Sequence, residues 1–403
     1  QTHLANIMGN MTKWAIELPE NTLAATITAA QRAAKGDPLT MAQFKARALS
    51  SVIGLQLGTA DALKVAGEAL RSDTLSLDKG DIYRPAIEGK KGEIIRTPFR
   101  LLQAQDALFR IPAERAKAYE MAVDRVVKEG MHPETMEAKA KIAEYTNNPG
   151  AGLSVTAAQK VLDTIAQTGA EAVFSQRVGP RLEMVQQAMA GHWSQFVVPF
   201  VRTPANLVSW AVQHTPGLNI LSARWREDFA AGGESRAKAI ARVTIGTGIA
   251  MTAFAMSEDG ILTGGGLFDK EQGGAKRAAG WQPYSVQIGG RFYSFQRIEP
   301  VAKVMGLAGD LVEMIKASKD EEDKAKMLSM LVLMFGNATI STTYLSGLAG
   351  AVNAMVDPVR YGDQFLEGYA TSLIPKIVGQ TTTLADPYKR EVDGVMDAIQ
   401  SQL

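Results

Sequence analysis

Apolar residues recur at helical spacing along nearly the whole sequence, and one short stretch departs from this pattern. In residues 41–72 the helical series consists of Phe44, Ala48, Val52, Leu55, Leu63, Ala66 and Leu70. Residues 280–300, GWQPYSVQIGGRFYSFQRIEP, instead alternate apolar and polar side chains on both sides of a Gly-Gly pair that favours a tight turn. The sequence therefore predicts a mostly α-helical protein, a multi-helix assembly with one small β-hairpin at about residues 283–297.

Composition favours helices that pack through small residues. Hydrophobic residues make up 46% and charged residues 21% of the chain, so it can bury a sizeable core. Aromatic residues amount to only 7%, whereas there are 17 methionines. The length of 403 residues allows two or three domains. We predict an N-terminal helical region at 1–92, a central helical region at 93–217, and a C-terminal helical region at 218–403 that contains a glycine-rich loop and the hairpin.

Prolines provide the predicted helix boundaries. Pro19 is expected to break the first helix. Thr97 is expected to cap a helix that begins at Pro98, and Pro112 to kink or end it. A second Arg-Thr-Pro sequence, at 202–204, is interpreted as reuse of the same cap, with duplication of a helical unit as the alternative.

Charge and cysteine content exclude several classes of protein. The formal net charge of +1 disfavours a dedicated binder of duplex DNA. The chain has no cysteine, which excludes disulfides, thiolate chemistry and cysteine-ligated metals. Because the sequence begins with Gln1 and not with Met, we expect it to be part of a longer polypeptide.

No motif predicts a catalytic, cofactor or metal site. The four histidines are scattered without ligand spacing, so each is expected to be a surface or capping residue. The sequence GGAKRA at 273–278 lacks the spacing of a phosphate-binding loop. Glu183, Glu227 and Glu299 are candidates for a glycosidase pair, but we interpret them as solvated helix charges.

Two uncharged segments raise the question of a membrane span. Residues 243–256 are too few to cross a bilayer, because about 20 are needed, and predict a buried helix. Residues 327–356 are long enough but contain many small and polar residues, among them Gly347 and Gly350. Such residues favour close helix contacts, either in a soluble core or in a membrane bundle, and both interpretations stay open.

Several segments, in this order, resemble the large internal virion proteins, or ejection proteins, of tailed bacteriophages. The segments are RTPFRLLQAQDALFRIPAERAKAYEMA, VVPFVRTPANLVSWAVQHTPGLN, ILTGGGLFD, GWQPYSVQIGGRFYSFQRIEP and LIPKIVGQ. The resemblance spans residues 96–388, and the GWQPYS element is its most specific part. It implies a helical module of a longer virion protein, located in the capsid interior or tail and, after ejection, in the host cell envelope.

The resemblance implies a non-enzymatic structural role, in which the module is released with the genome and helps to form a conduit for DNA. Its expected partners are copies of itself or other ejection, tail or portal proteins. Non-specific contact with phage genomic DNA and contact with the host membrane are further expectations, and no cofactor is expected. The alternatives are a peptidoglycan-degrading enzyme module and a membrane-inserting pore segment.

The hairpin is expected to be a structural clip. In this hypothesis it orders the glycine-rich loop and holds the helices on either side through four aromatic residues: Trp281, Tyr284, Phe292 and Phe295. The alternative is that its edge docks a neighbouring subunit, because an unpaired strand edge invites pairing.

Overall fold

The computed structural model describes residues 2–71, 89–176, 199–265 and 280–317. Most of these residues are helical, and the α-helices are α1 Thr2–Ala33, α2 Met41–Ala48, α3 Ser50–Arg71, α4 Gly89–Lys128, α5 Met136–Asn147, α6 Val155–Ala172, α7 Pro199–His214, α8 Ala223–Ala231, α9 Gly233–Glu258 and α10 Val301–Ala317. A short 3₁₀ helix, Leu218–Leu221, precedes α8, and strands β1 (Ser285–Ile288) and β2 (Arg291–Ser294) lie between α9 and α10. For the described part of the chain, the predicted fold class is confirmed.

The hairpin forms where the alternating pattern predicts it. Its strands are antiparallel, with Val286 opposite Tyr293. Gly289 and Gly290 form the turn with φ angles of 57° and 78°, a conformation that glycine adopts without the steric cost of a Cβ. The strands are shorter than the predicted range because Tyr284, with φ of 49°, leaves the extended conformation just before β1.

The chain forms two compact units. One comprises Gln1–Val185 and Ala205–Leu328, and the other Gln186–Pro204 and Ser329–Leu403. Of the second unit, the structure describes only residues 199–204. In the first unit α1 packs against α9 and α3 against α4, so helices from all three predicted regions share contacts.

The contact between α3 and α4 is made by small residues. The buried residues of α3 recur every three or four positions and are Ser51, Gly54, Gly58, Ala62, Ala66 and Ala69. A Cβ added to Gly54 would lie 2.3 Å from the carbonyl oxygen of Pro112 on α4. The two helix backbones therefore touch, and only a residue without a side chain fits between them.

The larger apolar residues of α3 lie outside this contact. Val52, Leu55, Leu63 and Leu70 have exposed fractions between 37% and 60%. The helical period of this segment was predicted correctly, but its largest apolar residues do not mark the buried face. The reason is the short distance between the two backbones, which admits only glycine, serine and alanine.

The proline-based boundaries are wrong. α1 continues through Pro19, and α4 begins at Gly89, before Pro98, and continues through Pro112. The second Arg-Thr-Pro sequence lies inside α7, which begins at Pro199. A proline removes one hydrogen bond from a helix and clashes with the preceding turn, and contacts with neighbouring helices outweigh that cost here.

Among the described residues, α9 is the one helix long and apolar enough to cross a membrane. Its mean hydropathy is 1.4 over an 18-residue window, of which 22% is buried. The core helix of a soluble protein meets the same criterion, so the finding is weak evidence for a span. The other uncharged segment, 327–356, with Gly347 and Gly350, lies outside the described residues.

Candidate functional site

A polar cavity of about 100 Å³ lies among α1, α3, α4, α6 and α9. This central cavity is lined by seven ionisable side chains: Glu17, Glu20, Lys117, Glu120, Glu171, Lys238 and Arg242. Burying a charge is costly unless it is paired and hydrogen-bonded. The partners of these side chains therefore decide what the cavity can do.

α1 places Lys13, Glu17 and Glu20 on one face, because residues three and four positions apart are neighbours on a helix. Lys13 Nζ lies 3.5 Å from Glu17 Oε1 and donates to the carbonyl oxygen of Glu171 on α6. It also lies 4.4 Å from the centroid of the Phe174 ring. Burial lowers the pKa of Lys13 and raises the pKa of Glu17, and the attraction between the two charges offsets part of both shifts.

A second group of charges joins α2, α4 and α9. Arg47 of α2 pairs with Asp124 of α4 at 2.6 Å and with Glu234 of α9 at 3.5 Å. Lys117 of α4 lies 2.8 Å from Glu120 and 3.6 Å from Glu234. Burial raises the pKa of Glu120. Burial acts in the same direction on Glu234, but nearby cations, above all Lys117, lower its pKa to about 2. Glu234 is therefore firmly ionised.

A third group joins α6, α8 and α9. Arg224 of α8 pairs with Glu171 of α6. Arg242 of α9 lies 2.9 Å from Asp228 of α8 and donates to Gln213 Oε1 at 2.9 Å. Although burial opposes it, the attraction of Arg224 and Arg242 lowers the pKa of Glu171. The paired form of this carboxylate is therefore the charged one.

Glu20 connects the central cavity to a buried histidine on α7. His214 is 1% exposed, and its Nε2 lies 2.6 Å from Glu20 Oε1. Its Nδ1 lies 2.6 Å from the carbonyl oxygen of Trp210, and the two rings stack with centroids 3.5 Å apart. Both ring nitrogens face acceptors, so the pair needs either a doubly protonated imidazole or a protonated Glu20. The prediction of a surface or capping residue is wrong for His214, whereas His132 accepts from the Glu134 amide as a capping residue does.

The carboxylates considered for a glycosidase pair do not line the central cavity. Glu227 is exposed on α8, and Glu299 lies 3.4 Å from Lys303 on α10. Glu183 is outside the described residues. Within the described ranges, no group of three or more histidine or carboxylate side chains is placed to hold a metal ion.

The structure brings two of the four aromatic residues of the hairpin together. Tyr284 and Phe295 meet edge to face with ring centroids 6.5 Å apart, in a cluster with Leu262 and residues of α9 and α10. Phe295 is 3% exposed. Trp281 and Phe292 are half-buried and lie outside this cluster.

The start of the glycine-rich segment is held on both sides. Residues 261–264 pair with β1, since the Thr263 amide donates to Ser285 O at 2.9 Å. On the side of α10, Asp310 accepts from the Gly265 amide at 2.7 Å and Glu313 from the Gly264 amide at 2.9 Å. Two carboxylates of one helix therefore hold two successive backbone amides.

The central cavity is the feature that sequence reasoning missed. A signal was available in α1, where Lys13, Glu17 and Glu20 form a charged face in an otherwise Ala/Thr-rich segment. The partners of that face lie more than 150 residues away, as His214 does from Glu20, with a separation of 194 positions.

Comparison with protein-family models, curated proteins and solved structures gave no match to this chain. The geometry of the described residues and the segments quoted above therefore carry the functional argument.

Proposed function

We propose that this chain is a structural, non-enzymatic module of a phage ejection protein. The module is released from the virion with the genome and helps to form a conduit for DNA through the host cell envelope. The proposal is supported by the ordered segments that resemble ejection proteins and by a helical fold that suits such a module.

The observation that carries the structural role is the pairing of buried charges between helices. Arg47 and Asp124 join α2 to α4, and Lys117 and Glu234 join α4 to α9. General acid or base catalysis needs a group that can reach a substrate proton. Here the charged groups bind one another, and the central cavity, at about 100 Å³, is smaller than the roughly 300–1,000 Å³ of typical ligand pockets. This arrangement fixes the helices relative to one another.

The proposed mechanism is mechanical. Helices of this module present surfaces to copies of the same chain or to other ejection, tail or portal proteins. A net charge of +1 gives the surface little overall attraction for the phosphate backbone, so DNA can pass without being retained.

Sedimentation velocity of the purified full chain, alone and with the proteins packaged beside it, tests the proposal. We expect a complex whose fraction rises with concentration, because the module acts as part of an assembly. A chain that stays monomeric under all these conditions contradicts the proposed assembly. Lysis of peptidoglycan in a zymogram would contradict the non-enzymatic role and favour the lytic alternative.

A further inference from the structure

A second cavity, of about 150 Å³, lies where the end of α1 meets α2 and the start of α9. This α9 cavity is lined by Thr28, Gln31, Arg32, Lys35, Arg47, Gly233 and Glu234. Three of these residues are basic and one is acidic. The cavity is separate from the central cavity, because the two share no lining residue.

The first turn of α9 contributes backbone donors to the cavity. α9 has 26 residues, and its N-cap residue, Gly232, provides no side-chain hydrogen bond. Gly233 and Glu234 line the cavity, and no intrahelical acceptor exists for the amides of a first turn. Free amides and the helix dipole together favour an anion at this position.

Arg47 is the second and independent observation. It is 8% exposed, and its guanidinium nitrogens pair with Asp124 and Glu234. Its Nε–H, however, is buried and has no acceptor among the described residues. A buried donor without an acceptor costs about 1–3 kcal/mol, so an acceptor that enters the cavity would remove this cost.

The other two cations are not neutralised inside the cavity. Lys35 is exposed and makes no ion pair within the described ranges. Arg32 pairs with Asp37 at 2.6 Å, but the Asp37 side chain is 72% exposed. An exposed ion pair of this kind contributes little and exchanges readily with other anions.

Glu234 is the one acid in the lining, and its carboxylate is already held by Arg47 and Lys117. Its pKa of about 2, lowered against the effect of burial, reports a positive local potential. The remaining cations and the backbone amides are available to a further oxyanion.

We propose that the α9 cavity binds a single phosphate group. The oxygens of the phosphate accept from the first-turn amides of α9 and from Arg47 Nε–H, and Arg32 and Lys35 provide charge at the entrance. Free phosphate and the backbone phosphate of a nucleic acid share this chemistry. The inference concerns the α9 cavity alone and does not depend on the proposed function.

Isothermal titration of the full chain with inorganic phosphate, in a chloride buffer of low ionic strength, tests the inference. We expect a dissociation constant of roughly 1 mM or below for one site. The double variant Arg32→Gln, Lys35→Gln should weaken binding about tenfold or more, because it removes two charges from the entrance. Glu234→Gln should tighten binding, since it removes the negative charge next to the ligand.

The matched control removes the same charge elsewhere. Lys139→Gln combined with Lys160→Gln changes two exposed lysines of α5 and α6, neither of which lines the cavity, and should leave binding unchanged. An absence of binding to the unaltered chain, or equal binding by the two double variants, overturns the inference.

A second titration distinguishes the sources of the phosphate. It uses an oligonucleotide of about ten nucleotides without terminal phosphates, a length within the range that single-strand binders cover. Binding that inorganic phosphate displaces identifies a nucleic-acid backbone as a ligand. Binding of inorganic phosphate but not of the oligonucleotide identifies free phosphate.

Discussion

At the scale of single residues, Asp310 shows how position changes the chemistry of a carboxyl group. It accepts hydrogen bonds from the Gly265 amide and, at 3.3 Å, from the Tyr284 hydroxyl. Both bonds favour the carboxylate, yet burial, together with the charge of Glu313, raises the pKa of Asp310 to about 6. The unfavourable effect of burial therefore exceeds the favourable effect of the hydrogen bonds.

This shift predicts how Asp310 affects stability as pH changes. Its ordinary pKa is 3.8, so between about pH 4 and pH 6 the folded chain holds a proton that the unfolded chain releases. The contribution of Asp310 to the free energy of unfolding therefore falls as pH rises through this interval. We expect Asp310→Asn to remove this contribution and to be relatively more stable at pH 7 than at pH 4, as measured by urea denaturation.

The amide of the Asn variant keeps an oxygen that accepts from the Gly265 amide, so the comparison isolates the charge. Tyr284→Phe is the matched control, because it removes a hydrogen bond to the carboxylate and should increase the pH dependence. Identical pH profiles for the unaltered chain and Asp310→Asn would contradict the assignment.

At the scale of elements, the packing of α3 on α4 depends on residues that lack a side chain. A Cβ at Gly58 would lie 2.8 Å from Pro112 Cα, and a Cβ at Gly54 would be closer still to the Pro112 carbonyl. Both helices would have to move apart to admit either one. The small residues of α3 thus determine the distance between the two helices.

We expect Gly54→Ala to lower the free energy of unfolding by about 1–3 kcal/mol, the usual cost of overpacking. Gly67→Ala on the same helix is the control, since its Cβ would meet nothing within 4 Å. That change should stabilise the chain by about 0.5–1 kcal/mol, because alanine favours a helix more than glycine does. Chemical denaturation of both variants measures the difference, and equal effects would argue against the close contact.

Local sequence predicts the elements here when their cause is local. The hairpin follows from alternation and a Gly-Gly turn, both of which lie within the segment itself. Pro19 and Pro112 mislead because their helices are stabilised by neighbours that are distant in sequence. Leu63 misleads for the same reason, since size indicates a buried face only when the partner leaves room for it.

At the scale of the whole molecule, buried charges join helices that are far apart in the chain. Glu20 and His214 connect α1 to α7 across 194 positions. Helical periodicity places each of them on a face of its helix but does not identify the partner. The fold class could therefore be predicted from the sequence, whereas the central cavity could not.

The Glu20–His214 contact makes a testable contribution to stability. We expect Glu20→Ala to lower the free energy of unfolding by about 1–3 kcal/mol, because it leaves a buried ring nitrogen without a partner. A double-mutant cycle with His214→Ala, followed by urea denaturation, separates this interaction from the loss of the ring stack on Trp210. Purely additive effects would contradict a direct interaction.

A core rich in ion pairs has a consequence for the unfolded polymer. When Lys13, Arg47 and Glu234 come apart, each becomes a well-hydrated group, whereas a core of large aromatic residues would expose surfaces that adhere to one another. An extended strand of this composition would stay dispersed in water. Its helices could separate, be threaded in single file and meet again by charge recognition.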